Sequence, residues 1–86
     1  MEHALTYEQL AELLHEVDEK LQTATAAEIR GKHLTQDLGL DSLDVIKFVL
    51  LVEEKFGVKV GDEEIDEREL MKLDNLAGYL AERAPG

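Results

Sequence analysis

The chain has 86 residues, no cysteine and a formal net charge of -11 at pH 7, from 20 acidic and 9 basic residues. One domain of that length buries somewhat more than ~60% of the surface its unfolded chain exposes, so residues 1–86 are expected to form a single domain with a core that needs no staples. Without cysteine there is no disulfide framework, thiolate metal site or cysteine nucleophile, and the acidity opposes nucleic acid and anionic lipid and favours basic partners.

Met1-Glu2-His3-Ala4 lacks the basic and apolar regions of a signal peptide. Thr6 and Gln9 have the spacing of a capping box, which predicts a first helix from Tyr7. Leu10, Leu13, Leu14, Val17 and Leu21 recur at helical spacing and predict a core stripe, with Glu8, Glu12, Glu16 and Glu19 facing water. His3, His15 and His33 are isolated, and nothing in the pattern assigns them chemistry.

From Gln22 to Asp41 the periodicity lapses for roughly twenty residues, long for a connection inside a compact domain. Thr25 and Glu28 repeat the capping-box spacing and predict one short turn, with Ile29 and Leu34 as anchors. Leu38-Gly39-Leu40-Asp41 places a glycine where the chain must bend sharply.

A second helix is predicted over Ser42–Phe56, stopped by Gly57. Asp44, Lys47, Glu54 and Lys55 fall in one polar arc, and Leu43, Val45, Ile46, Phe48, Val49, Leu50, Val52 and Phe56 cover most of the remainder. So apolar a helix is expected to be central, with Leu51 alone exposed inside the charged arc. Phe48–Val52 is also the longest uninterrupted apolar run, far below the ~18 residues a membrane span requires, so a soluble cytoplasmic protein with no membrane partner is expected.

Val58-Lys59-Val60 reads as an extended connector, and Gly61-Asp62-Glu63-Glu64 as a turn that puts acids at a helix start, where negative charge is favoured. Ile65, Leu70, Met71 and Leu73 anchor a short third helix or irregular turn. Asp74 is the expected N-cap of a last helix that buries Leu76, Tyr79 and Leu80, and Ala84-Pro85-Gly86 ends the fold. The expected class is all-α, a four-helix bundle with a short third helix and a long first loop. Acidity concentrates in the second half: Asp37 to Asp74 holds 12 acids against 5 bases.

The informative triplet is Asp41-Ser42-Leu43. Ser42 at a helix N-cap has a structural explanation, since its hydroxyl caps free amides for about 1 kcal/mol. It has no Gly-x-Ser-x-Gly elbow and no histidine at a spacing that suggests a paired base, so it is not a catalytic nucleophile; chemistry there is done to it. A phosphodiester on Ser42 would meet the positive end of the helix dipole and unpaired backbone amides.

The stretch Asp37-Leu38-Gly39-Leu40-Asp41-Ser42-Leu43, continued through Glu53-Glu54-Lys55-Phe56-Gly57-Val58-Lys59-Val60 and Asp62-Glu63-Glu64, closely resembles the acyl carrier protein family. Weaker similarity in the apolar pattern reaches the first and last helices. The resemblance implies that Ser42 receives 4'-phosphopantetheine from coenzyme A through a magnesium-dependent phosphopantetheinyl transferase. The thiol of the arm then holds an acyl group as a thioester. It implies that Asp41 helps the transferase recognise the site, with Leu43 beside it. It implies too that the second helix docks on basic patches of acyl-loading, condensing and acyl-transferring enzymes through Asp44, Glu53 and Glu54, with Leu43 and Leu50 as apolar contacts; Leu51, from its place in the charged arc and not from the resemblance, is either an ordinary exposed leucine or a further partner contact. The chain would act as a monomer and a carrier, not an enzyme.

Two features depart from the family pattern. Lys47 stands where fatty-acid-synthesis carriers commonly have an acid and would reverse the sign of one partner contact, and the segment from Glu64 to Asp74, with Asp66, Glu67, Arg68 and Glu69, is longer than usual. Both tilt the expectation from fatty-acid synthesis toward a discrete carrier in polyketide or related natural-product assembly. A peptidyl or aminoacyl carrier shares the fold, serine and arm, and an acidic interaction module with Ser42 as a simple cap is the reading from another class. A metal site at Asp62–Glu67 is disfavoured because the alternating ligands and glycine of a calcium loop are missing.

Overall fold

Five α-helices account for most of residues 4–83, the part of the chain that the computed structural model describes: α1 (Ala4–Val17), α2 (Ala26–Ile29), α3 (Ser42–Phe56), α4 (Asp62–Glu67) and α5 (Leu73–Arg83), with a 3-10 turn at Glu19–Leu21. His3 and Ala84-Pro85-Gly86 lie outside the described residues. The expected all-α architecture is present. α1, α3, the short α4 and α5 are its four helices, and α2 is a single turn within the long first loop.

α1 starts at Ala4, upstream of the predicted Tyr7. Ala4 and Leu5 are strong helix formers, and they carry the helix past the Thr6 position at which a cap was expected. The predicted stripe is buried, from Leu10 and Leu14 at zero exposure to Leu13, Val17 and Leu21, and Tyr7 and Ala11 join it. α1 packs against α2, α3 and α5, so it, and not the more apolar α3, is the central helix.

The long loop is held by local structure. Thr25 and Glu28 form the reciprocal capping box at 3.2 and 3.1 Å, and Ile29 and Leu34 are buried. His33 organises the segment that follows: its Nδ1 accepts from the amides of Thr35 and Gln36, and its own amide donates to Asp37 Oδ2 at 2.8 Å. Leu34 N–H donates to the Met71 carbonyl and Leu73 N–H to the Lys32 carbonyl, both at 2.9 Å, which joins the loop to the approach of α5. His15 Nε2 lies 2.8 Å from the Ala24 carbonyl and ties α1 to the start of this loop.

Asp74 does not cap α5, which begins one residue earlier at Leu73. Its carboxylate instead accepts from the Tyr7 hydroxyl and, at 3.0 Å, from the Gly31 amide. The buried phenol needs an acceptor, and the guanidinium of Arg30 lies 4.7 Å from the centre of its ring. Burial, reinforced by the hydrogen bond to Asp74 and its charge, pushes the Tyr7 hydroxyl from an ordinary 10.0 up to about 12. The folded state therefore holds this proton more tightly than the unfolded state. The stability this group contributes is fully present below pH 10 and is lost as pH rises from about 10 through about 12. Urea midpoints across that window should drop less steeply in Tyr7→Phe than in the parent chain; equal slopes would contradict this assignment.

Among the described residues no helix is long and apolar enough to cross a membrane.

Candidate functional site

The approach to α3 is set by Gly39 and Asp41. Gly39 adopts φ +72, the left-handed conformation that an L side chain disfavours, and buried Leu40 pins the next step. Asp41 then takes extended backbone at the N-cap, and its Oδ1 accepts from the Asp44 amide at 2.8 Å. Ser42 is thus the first helical residue and not the cap. Aspartate and serine cap equally well, and in an Asp-Ser pair the one with extended backbone takes the role. No hydrogen bond among the described residues engages the Ser42 hydroxyl, and the residue is exposed. Asp41→Ala should cost about 1 kcal/mol of stability and Asp41→Asn much less, read by urea unfolding; equal losses would remove Asp41 as the cap.

α3 runs over the predicted Ser42–Phe56 and ends on Gly57 at φ 69. Its burial differs from the expected arc. Phe48 and Val52 are fully buried, and Val45, Val49 and Phe56 pack partly on the core. Leu43, Ile46 and Leu50 are exposed by 71%, 56% and 59%. Apolar character alone cannot bury a face with no neighbour to cover it, and α4, which has no buried residue, is too short to cover this one. Leu51 shows the converse. It is half-buried against the core and shares a shallow groove with Leu13, Glu12 and Glu16 of α1, because α1 lies alongside that edge of α3.

The remaining predicted residues are distributed along α3. Asp44 is half-buried in the first turn, while Lys47 and Glu54 are exposed. Glu53 is half-buried, and its Oε2 accepts from the Val60 amide at 2.8 Å, fastening the connector after α3. Periodicity assigns Ile46 to the buried side, but it is exposed beside Leu43 and Leu50 because no described helix packs on that face.

Next to Ser42 lies a groove of about 410 Å3 between α3 and α4, lined by Val45, Ile46, Ile65 and Met71 together with Thr35, Asp62 and Asp66. Its α4 wall is fastened from behind. Tyr79 of α5 donates to Glu64 Oε2 at 2.6 Å, and its ring carries the guanidinium of Arg83 at 3.9 Å and that of Arg68 at 5.6 Å. The Tyr79 hydrogen bond, helped by Arg83, Arg68 and the Gly61 amide, holds the Glu64 carboxyl below its ordinary range. Burial and then Glu64 itself push the Tyr79 hydroxyl up.

These residues fit a phosphopantetheine arm. The Ser42 hydroxyl is exposed and uncommitted, the first-turn amides of Ser42 and Leu43 have no partner within the helix, and an anion is favoured at that end of the dipole. The adjoining groove is largely apolar and large enough to take part of a flexible chain.

Comparison with known proteins bears on the same region. The family model for a phosphopantetheine attachment site matches residues 8–80. The acyl carrier protein of Arthrobacter sp. strain FB24 is 43% identical over 72 residues, covering 84% of this chain and 86% of that protein. The acyl carrier protein of Paenarthrobacter aurescens matches to the same extent. That of Campylobacter hominis is 36% identical over 64 residues, or 74% of this chain and 78% of its own. A family match over most of the described helices, with relatives this similar along most of their length, establishes that the chain belongs to the acyl carrier protein family, carriers whose prosthetic group is 4'-phosphopantetheine.

Proposed function

We propose that the oxygen of Ser42 is the point at which the 4'-phosphopantetheine arm is attached, and that residues 1–86 act as one carrier domain, a cytoplasmic monomer presenting acyl intermediates to the enzymes of fatty-acid, polyketide or related natural-product biosynthesis. The observation that carries this reading is the placement of Ser42: an exposed hydroxyl, relieved of capping by Asp41, at the head of α3 and beside an apolar groove. When attached, the arm supplies the thiol that holds an acyl group as a thioester, which the chain lacks for want of cysteine.

The protein's own residues would do three things. Asp41 shapes the turn that offers Ser42 to a phosphopantetheinyl transferase, with Leu43 exposed next to it as a contact. The amides at the head of α3 stabilise the phosphate by hydrogen bonding and by the helix dipole. Asp44 and Glu54, with exposed Leu50, give α3 an acidic and apolar side for basic docking patches, to which Leu51, turned toward α1, adds only its uncovered edge; Glu53, one oxygen of which is engaged at Val60, can contribute the other.

The direct test is incubation of the protein with coenzyme A, magnesium and a broad-specificity transferase, followed by intact-mass measurement. Addition of one arm supports the reading. No addition with several transferases contradicts it.

A further inference from the structure

On the exposed side of α3, Leu43, Ile46 and Leu50 form a stripe of large apolar side chains with no cover from the other described residues. Lys47 stands four residues after Leu43 and three before Leu50, so its side chain neighbours both. It is exposed, and among the described residues it forms no ion pair; the only two found join Lys72 to Glu69 and Arg83 to Glu82. Along the same polar arc Asp44 precedes Lys47 and Glu54 follows it, with the second exposed lysine, Lys55, at the far end of the helix next to Gly57.

We infer that the partner enzyme docking on this face carries a carboxylate opposite Lys47, set within an otherwise basic surface around an apolar slot. The inference rests on the carrier reading above and names the chemistry of its partner. A surface close enough to cover Leu43 and Leu50 also covers Lys47. Taking an ammonium out of water costs free energy unless an acceptor replaces the lost hydration, so a uniformly basic or apolar partner would be penalised at this point. Asp44 and Glu54 call for cations on either side of it. Such a mixed pattern selects one partner and one orientation, because a like charge facing Lys47 is repelled. A second copy of the chain is a poor occupant, since each copy has a net charge of -11, and an anionic lipid surface is opposed by the same field.

The test uses short synthetic amphipathic helices as probes, each with a Leu/Ile stripe flanked by lysines. One series moves a single glutamate along the flank, and the control keeps lysine throughout. Full-length protein and its Lys47→Met and Ile46→Asp variants are titrated with each by calorimetry. At one register the glutamate peptide should bind the parent chain about fivefold more tightly than it binds Lys47→Met, while the all-lysine control should bind Lys47→Met at least as tightly as the parent. Ile46→Asp should weaken both. The proposal is overturned if no register depends on Lys47, if binding survives Ile46→Asp, or if sedimentation shows a dimer that Lys47→Met dissolves. It is likewise overturned if the stripe binds anionic vesicles more tightly than any peptide. Loading of Ser42, read by mass on the same samples, fails or succeeds independently of these outcomes.

Discussion

Ser42→Ala is expected to accept no phosphopantetheine and to support no carrier turnover, yet to unfold within about 0.5 kcal/mol of the parent chain. The separation follows from the division of labour at the head of α3. Asp41 caps the Asp44 amide, so the serine hydroxyl is not part of the helix's hydrogen bonding, and alanine is at least as good a helix former at that position. Were Ser42 the cap, the same substitution would cost about 1 kcal/mol and confound folding with function. Intact mass after transferase treatment, paired with urea unfolding of the same sample, distinguishes the two. Loading at wild-type level in Ser42→Ala would place the arm elsewhere.

Phe48→Ala should have the largest effect on stability, a loss of about 3–5 kcal/mol. Phe48 is the largest of the fully buried side chains and, with Val52, the contribution of α3 to a core built mainly by α1 and α5 and completed by Ile29, Leu34, Leu40, Val60 and Leu70. A domain of this size has roughly 5–10 kcal/mol in total, so the variant should be largely unfolded at moderate temperature. By contrast Leu50→Ala, on the uncovered side of the same helix, should change the urea midpoint little. A similar loss at the two positions would mean that the stripe is buried and the burial pattern of α3 is wrong.

Much of this architecture was legible in the sequence because local rules sufficed for it. The Thr25–Glu28 box, the bounds Ser42–Phe56, the bend at Gly39 and the buried stripe of α1 each depend on residues within a few positions of one another. What periodicity misjudged was set by distant partners. Asp74 resembles an N-cap by local spacing, but Tyr7, 67 residues away, claims its carboxylate. Leu51 sits in a charged arc yet packs inward because α1 lies there, and Leu43, Ile46 and Leu50 belong to an apolar arc that no helix covers. Within the site, the type of residue at Asp41-Ser42 was informative, whereas the choice of which one caps required the backbone conformation. The exposed apolar stripe, the most evident docking feature, was hidden by the same excess of apolar residues that made α3 seem central.

The account turns on one covalent bond, and its most direct measurement is peptide mapping by tandem mass spectrometry of the protein purified from its own cells. The fragment containing Asp41-Ser42-Leu43 should carry the arm, joined to the oxygen of Ser42, and no other fragment should. An unmodified Ser42 in protein that is fully active in its pathway, or the arm found on another residue, would contradict it.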